Sequence, residues 1–530
     1  MTSLLPALRR ATPRLTRQLF QCSHHQCLPR VATQPDIFKP ASPTYIRAFR
    51  ASTSRLSSAA SGSPAIERGS SSKLLSLSKP TELYGRKKRI RFFPVKSEKS
   101  VAYWLLGSAA SVFGIVLFGG LTRLTESGYV ASFKLAGKVL IVQSLSITEW
   151  KPVTGSLPPT TEKEWQSEFN KYRSSPEFKM LNPNMTLSEF KSIYYMEWTH
   201  RLWGRFVGLS FAIPALYFIA RRKVSGQMAL RITGIAGLIG FQGVLGWWMV
   251  KSGLKDDLFA TGSPPRVSQY RLVAHLGTAF LCYSAMLWNG LTILRTHRLL
   301  GNLQAAEASL RRLRNPRLRI FRLSVGALAV LVFITAMSGG LVAGLDAGLI
   351  YNEFPYMGLG LTPPKSELFS DFYSHTPDNS DIWWRNALEN PSLVQLDHRM
   401  LATTTFTSVM ALWAYSRFSR SVRAILPVPA RKGIHGVVGF VSLQVVLGIS
   451  TLIYLVPLPL ASAHQAGSLA LLSYVLILGS RSWLPNRRVS ALLTKRFATA
   501  RMTPKRSVQS NKRIHKQNNA AGAAQNAAVV

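Results

Sequence analysis

Eight long apolar runs, separated by polar connections, organise most of this 530-residue chain. They cover approximately 101–121, 200–220, 230–250, 272–294, 322–344, 399–416, 433–456 and 462–480. Each approaches the roughly 20 residues that an α-helix needs to cross a bilayer. The pattern predicts an all-α polytopic membrane protein with eight transmembrane helices. Ahead of the second run, Thr186 and Glu189 form a capping-box pair. A helix is therefore expected to start there and continue through Glu197 into the span.

The connections differ in charge, and the difference sets orientation. Basic residues crowd the segment from Arg86 to Lys99, the second connection (Arg221, Arg222, Lys223), the fourth (Arg295 to Arg319) and the sixth (Arg417 to Lys432). The long fifth connection instead carries Asp371, Asp378, Asp381, Glu389 and Asp397. Basic loops mark the side that is not translocated, so both termini lie there and the odd-numbered connections lie opposite. The chain has 65 Lys and Arg against 23 Asp and Glu, a net charge of +42. That excess is a topology signal, and no nucleic-acid partner is inferred from it.

Residues 1–60 contain nine Lys and Arg, one acid (Asp36) and many Ser, Thr and Ala. This is the composition of a mitochondrial transit peptide, with cleavage expected between Arg47 and Arg55. The expected location is the mitochondrial inner membrane, multi-pass, with both termini in the matrix. Cys22, Cys27 and Cys282 are the only cysteines, and they offer neither a disulfide framework nor a zinc motif.

The chain also repeats itself. Phe118-Gly-Gly-Leu-Thr-Arg-Leu-Thr-Glu-Ser-Gly matches Ser338-Gly-Gly-Leu-Val-Ala-Gly-Leu-Asp-Ala-Gly. His200-Arg201 matches His398-Arg399, Phe241-Gln-Gly-Val-Leu-Gly matches Leu443-Gln-Val-Val-Leu-Gly, and Ala274-His275 matches Ala463-His464. The pairs keep their order, so a four-helix unit is used twice. Each unit has an even number of spans, which predicts two pseudo-symmetric four-helix bundles about an axis along the membrane normal. The expected division is a transit peptide (1–60), a basic matrix segment (61–100), an N-terminal four-helix half (101–294), a basic matrix linker (295–321), a C-terminal four-helix half (322–480) and a disordered matrix tail (481–530).

His200, His275, His398 and His464 each stand at the start of an even-numbered run, so they share one depth. Within a half, the second and fourth helices run parallel, and facing imidazoles can clamp a flat macrocycle from both sides. A neutral imidazole is a good haem-iron ligand. One histidine at a span end is more often an interfacial side chain; four at equivalent repeat positions carry the haem reading. His297, His375 and His435 are read as structural. Glu197, three residues before His200, shares a helical face with it. It could orient the imidazole, stabilise positive charge or move a proton. The matching residue in the second half is the neutral Gln395, so the first half is expected to do chemistry and the second to hold a resident haem. Arg201 and Arg399 could pair with haem propionates or simply snorkel to the interface. The Gly119-Gly120 and Gly339-Gly340 pairs permit close approach of a helix or a porphyrin, with helix packing preferred. Gln242 and Gln444 are expected to form interhelical hydrogen bonds.

These motifs, together with Tyr195-Met-Glu-Trp-Thr-His-Arg and Gly339 to Pro355, resemble the haem A synthase family in its mitochondrial form, over roughly 95–485. The resemblance implies oxidation of the C8 methyl group of haem O to a formyl group, through an alcohol and a gem-diol, for cytochrome c oxidase. It implies a resident b-type haem on His398 and His464, and substrate haem O flanked by His200 and His275. Glu197 would be the catalytic acid, stabilising a cationic methyl carbon or helping to deliver water. Bacterial members can carry a cysteine pair in an outward loop; this chain has none there. Implied partners are haem O and haem A, haem O synthase, a mitochondrial ferredoxin system, oxidase assembly factors and membrane lipid, with a homo-oligomer left open. The alternatives are a dihaem b-type electron-transfer cytochrome and a transporter.

Overall fold

A computed structural model of the chain describes residues 92–124, 146–148, 157–175, 178–179, 182–252 and 267–502. The expected transit peptide, its cleavage region, Cys22, Cys27 and the last part of the tail lie outside the described residues. Those residues form helices and connecting turns; the only β pairing among them is a single bridge between Met357 and Gly360.

The helices are α1 (Lys99–Leu124), α2 (Glu162–Arg173), α3 (Leu187–Ala220), α4 (Gly226–Ser252), α5 (Gln269–Gly301), α6 (Leu303–Leu313) and α7 (Leu318–Gly344). After a 3-10 turn at Ala347–Leu349 follow α8 (Lys365–Leu368), α9 (Ile382–Glu389), α10 (Pro391–Phe418), α11 (Arg420–Ile425), α12 (Val428–Ile453), α13 (Leu458–Ser482) and α14 (Arg487–Met502). Seven described helices are long and apolar enough to cross a membrane: α1, α3, α4, α5, α7, α12 and α13. The eighth expected crossing falls in α10, which has the length at 28 residues but is not among those seven. Thr403, Thr404, Thr405, Thr407 and Ser408 dilute its apolar content.

α3 starts where the sequence places it. Thr186 accepts from the Glu189 N–H while the Glu189 side chain accepts from the Thr186 N–H. Its 34 residues extend about 51 Å at 1.5 Å per residue, some 20 Å more than a hydrocarbon core of about 30 Å. The surplus is N-terminal. There Phe190, Ile193 and Tyr194 pack with Trp165, Phe169 and Tyr172 of α2 into a small aromatic core. His200 falls where the surplus ends and the span begins. Along the span, Phe206, Leu209, Ile213 and Leu216 form an exposed apolar stripe, the surface expected of a helix facing lipid.

α1 packs on α3 and α5, and α4 on α3 and α5. α7 packs on α10 and α13, and α12 on α10 and α13. The two sets meet through α1, α5, α7 and α13.

Two boundaries differ from expectation. The linker 295–321 contains the end of α5 and the whole of α6, whose Ala306, Leu310 and Leu313 are buried on one face. The tail, expected to be disordered from 481, instead forms α14, which buries Leu493 and pairs Arg501 with Glu307 of α6 at 2.5 Å. Both segments are too basic to read as core, yet each has an apolar stripe that the other helps to cover.

The acidic fifth connection is folded. Asp381 accepts from Ser374 Oγ at 2.6 Å and the His375 N–H at 3.1 Å; Arg385 bridges it to Glu389. The Ser374 hydroxyl, above all, holds the Asp381 carboxyl well below the usual range, with the His375 N–H, Thr376 and Arg385 adding to it. Glu367 accepts from Tyr351 Oη at 2.7 Å and Ser392 Oγ at 2.5 Å. Burial, then the bond to Glu367, pushes the Tyr351 phenol up to about 12.

Candidate functional site

The four histidines are seated in one way. Each lies toward the N-terminal part of its helix and faces a glycine near the C-terminal end of the preceding long helix. A Cβ built on Gly119 would stand 2.6 Å from His200 Cε1; on Gly246, 3.3 Å from His275 Cε1; on Gly339, 3.1 Å from His398 Cε1; on Gly448, 3.0 Å from His464 Cε1. Cε1 is the nearest ring atom in all four cases, followed by the two nitrogens. A Cβ would clash outright at Gly119, whereas at Gly448, Gly339 and Gly246 the ring would have to give by a few tenths of an ångström or less. The glycine pairs thus accommodate histidine rings, a use the sequence did not suggest. Gly246 and Gly448 close two of the repeat motifs quoted above, which is the signal that could have found them.

The second glycine of each pair serves the other half of the repeat. Gly120 lies against the side chain of Gln465, the residue after His464. A Cβ built on Gly340 would stand 3.2 Å from Leu276 Cδ2, on the residue after His275. Gln465 also donates to the Val116 carbonyl at 3.0 Å. These contacts bring all four imidazoles to one end of the helices.

His398 and His464 stand with ring centres 6.4 Å apart and planes at 89°. A metal–imidazole bond of about 2.0–2.1 Å, plus roughly 1.1 Å from nitrogen to ring centre, puts two imidazoles on one ion about 6.3 Å apart. The separation of the two rings leaves room for one iron between an imidazole nitrogen of each. His200 packs against Phe118, ring centres 6.4 Å apart and nearly parallel. Nδ1 of His200, His275 and His464 is buried without a hydrogen bond, although the Gln444 carbonyl lies near His464. His398 Nδ1 is different: Ser338 Oγ lies 2.8 Å away.

Glu197 is buried and fully engaged, but not with His200. Its Oε1 accepts from Arg201 at 2.6 Å. Its Oε2 accepts from Ser146 Oγ at 2.8 Å and from the Ile147 N–H at 2.9 Å. Arg201 also donates to the Ile147 carbonyl at 2.9 Å. Orientation of the imidazole is therefore not what this carboxylate does. Ser146 was missed from the sequence because it is distant in the chain and belongs to no motif.

The second half has the same layout with one charge fewer. Gln395 stands at the place of Glu197, and Arg399 donates to its Oε1 at 3.3 Å. Arg399 also donates to the carbonyls of Tyr351, Glu353 and Tyr356, while its Nε is buried without a partner. Gln395 donates to the Ala347 carbonyl at 2.7 Å. Neither arginine is an idle snorkelling side chain. Of the two span glutamines, Gln242 makes the expected interhelical bond, to the His275 carbonyl at 3.0 Å. Gln444 does not: it packs against Gly467 and its Nε2 is unpaired.

Fold and site together define a multi-pass helical membrane protein with paired, glycine-seated histidines, one pair accompanied by a fixed carboxylate. The family model described as cytochrome oxidase assembly protein, COX15-CtaA, matches residues 102–476. The chain is 51% identical over 388 residues to heme A synthase COX15 of Saccharomyces cerevisiae, covering 73% of this chain and 76% of the relative. It is 43% identical over 404 residues to heme A synthase COX15 of Homo sapiens, covering 74% and 84%. It is 49% identical over 389 residues to the heme A synthase-mitochondrial ferredoxin fusion protein of Schizosaccharomyces pombe, covering 72% of this chain and 60% of that longer protein. The chain belongs to the COX15-CtaA cytochrome oxidase assembly family.

Proposed function

We propose that the chain is a haem A synthase of the mitochondrial inner membrane, oxidising the C8 methyl group of haem O to a formyl group by successive hydroxylation. The relatives named above are called heme A synthase. The observation that carries the reading is the inequality of two otherwise matched sites: Glu197–Arg201 beside one histidine pair, Gln395–Arg399 beside the other.

In this reading, His398 and His464 hold a resident b-type haem, and His200 and His275 flank substrate haem O. The resident haem, when bound, supplies one-electron redox chemistry. Glu197, paired with Arg201, would present a fixed carboxylate to the substrate held by this histidine pair. Both of its oxygens already accept hydrogen bonds, so it suits stabilisation of developing positive charge better than proton shuttling. Arg201, Ser146 and Ile147 keep that charge in place. Arg399 has no carboxylate partner, and its net positive charge is available to offset haem propionates.

Eight crossings in two four-helix bundles suit this site. The helices pack in two matching rings. The α10 hydroxyls that lower its apolar character bond internally: Thr403, Thr404 and Thr407 each donate to the carbonyl four residues back. A polar helix with its donors so satisfied can enter hydrocarbon. A mitochondrial ferredoxin is the proposed electron donor, on the strength of the fused relative.

The test is haem extraction from membranes with and without the chain. Haem A that depends on the chain, with haem O accumulating in its absence, is expected. A chain that binds only haem b and leaves haem O unchanged would make it an electron-transfer cytochrome.

A further inference from the structure

Ser338 has one hydroxyl proton and two neighbours. It donates to the Thr335 carbonyl at 2.8 Å, and it lies 2.8 Å from His398 Nδ1. With that proton on the carbonyl, the Ser338 oxygen is free to accept from Nδ1. When His398 ligates through Nε2 its proton is on Nδ1, and Ser338 is placed to hold it there. Thr335 is itself held: its hydroxyl lies 2.8 Å from that of Thr405 and 2.9 Å from the Leu331 carbonyl.

The repeat places Phe118 at the position of Ser338. Phe118 stacks on His200 and offers no acceptor, and His200 Nδ1 has no hydrogen bond. Of these four histidines, His398 is the one whose Nδ1 meets a side-chain hydroxyl.

We propose that Ser338 is the positioning residue that makes the second-half clamp a retaining site, and that Phe118 keeps the first-half clamp exchangeable. The inference rests on the haem reading above. A second partner on Nδ1 raises the basicity of the ligating nitrogen, and loss of such partners lowers metal affinity about 10- to 100-fold. A resident cofactor must stay through many turnovers, whereas a substrate and its product must pass through. A single side-chain difference at the repeat position serves both needs.

The test uses the purified full chain with its haem, and the variants S338A, S338T and H398A. Transfer of haem b to excess apomyoglobin and the reduction potential of the bound haem are measured. S338A is expected to release haem about 10- to 100-fold faster. Its potential should rise, because a less basic imidazole stabilises ferric iron less. A tenfold larger loss for ferric than for ferrous haem corresponds to about 59 mV. S338T keeps the hydroxyl and should behave as the parent. Parental release and potential in S338A would overturn the inference, and so would an equal defect in S338T, which would assign the effect to packing. The first half is tested by adding haem b to F118S/H398A and H398A. Slower release from the double variant is expected; equal release would overturn that part. H398A retaining a full bis-imidazole spectrum would instead refute the haem reading itself, whereas haem loss in H398A with an unaffected S338A would sink only the role of Ser338.

Discussion

Adding one methyl group at each histidine-facing glycine makes a graded prediction. The built Cβ falls short of an ordinary 3.4 Å contact by about 0.8 Å at Gly119, 0.4 Å at Gly448, 0.3 Å at Gly339 and 0.1 Å at Gly246. Metal–ligand distances tolerate about 0.2 Å, so G246A should be absorbed and the other three should not. Overpacking a fitted site costs about 1–3 kcal/mol, which is roughly 5- to 150-fold in affinity. G339A and G448A should therefore lose resident haem b by about fivefold or more, measured as haem per purified protein. G119A should keep that haem but lower haem A formation by about 100-fold, because a displacement approaching 1 Å is costly to catalysis. G246A should stay within about threefold of the parent in both assays. The reasoning fails if G246A is as damaging as G119A, or if G119A loses resident haem while G339A retains it.

E197Q should leave haem b content unchanged and lower haem A formation about 10²- to 10³-fold, the effect of removing one preorganised charge-stabilising group; parental output of haem A would exclude an electrostatic role. S146A removes one of two donors to Glu197 Oε2, a charged hydrogen bond of about 1.5–3 kcal/mol. Haem A formation should drop roughly tenfold or more at normal haem b content, and a change under twofold would mean that Ser146 does not position the carboxylate. D381N should speed hydrogen exchange across residues 370–390 at neutral pH. The folded pKa of Asp381 is depressed, so its stabilisation is complete above its unfolded value of about 3.9 and fades as the pH falls toward the folded value. The difference between D381N and parent should therefore shrink as the pH falls below about 4, and a difference that persists there would rule out the carboxylate.

Much of this arrangement is legible in the chain because span length, loop charge and internal repetition are strong local signals. The α3 start is an example: Thr186 and Glu189 specify the N-terminus by themselves, and the histidine depth then follows from counting. Other features need the third dimension. The glycine opposite each imidazole lies far away in sequence, and Gly246 sits in a motif whose obvious polar residue is Gln242. Ser146 meets Glu197 across 51 positions through a segment with no periodicity. α6 and α14 were hidden because their charge outweighs one buried stripe, and hydropathy averages over faces that packing separates. α10 shows the opposite bias: threonines that lower its mean hydropathy bond internally and do not need water.

The duplicated halves are tied at the level of their histidines. The residue following each fourth-helix histidine is packed against a glycine of the other half, Gln465 on Gly120 and Leu276 on Gly340. Moving one ligand helix to favour a different occupant would shift the neighbouring glycine pair, and with it the seat of an imidazole in the other half. Specialisation by backbone displacement is therefore constrained. Side chains that reach the site without crossing this seam remain free to diverge, and Glu197 against Gln395 and Phe118 against Ser338 are of that kind. The first pair changes charge and the second changes hydrogen bonding to a ligand. On the proposed reading, a matched scaffold of this kind would hold one porphyrin and process another while keeping the helices that carry both in register.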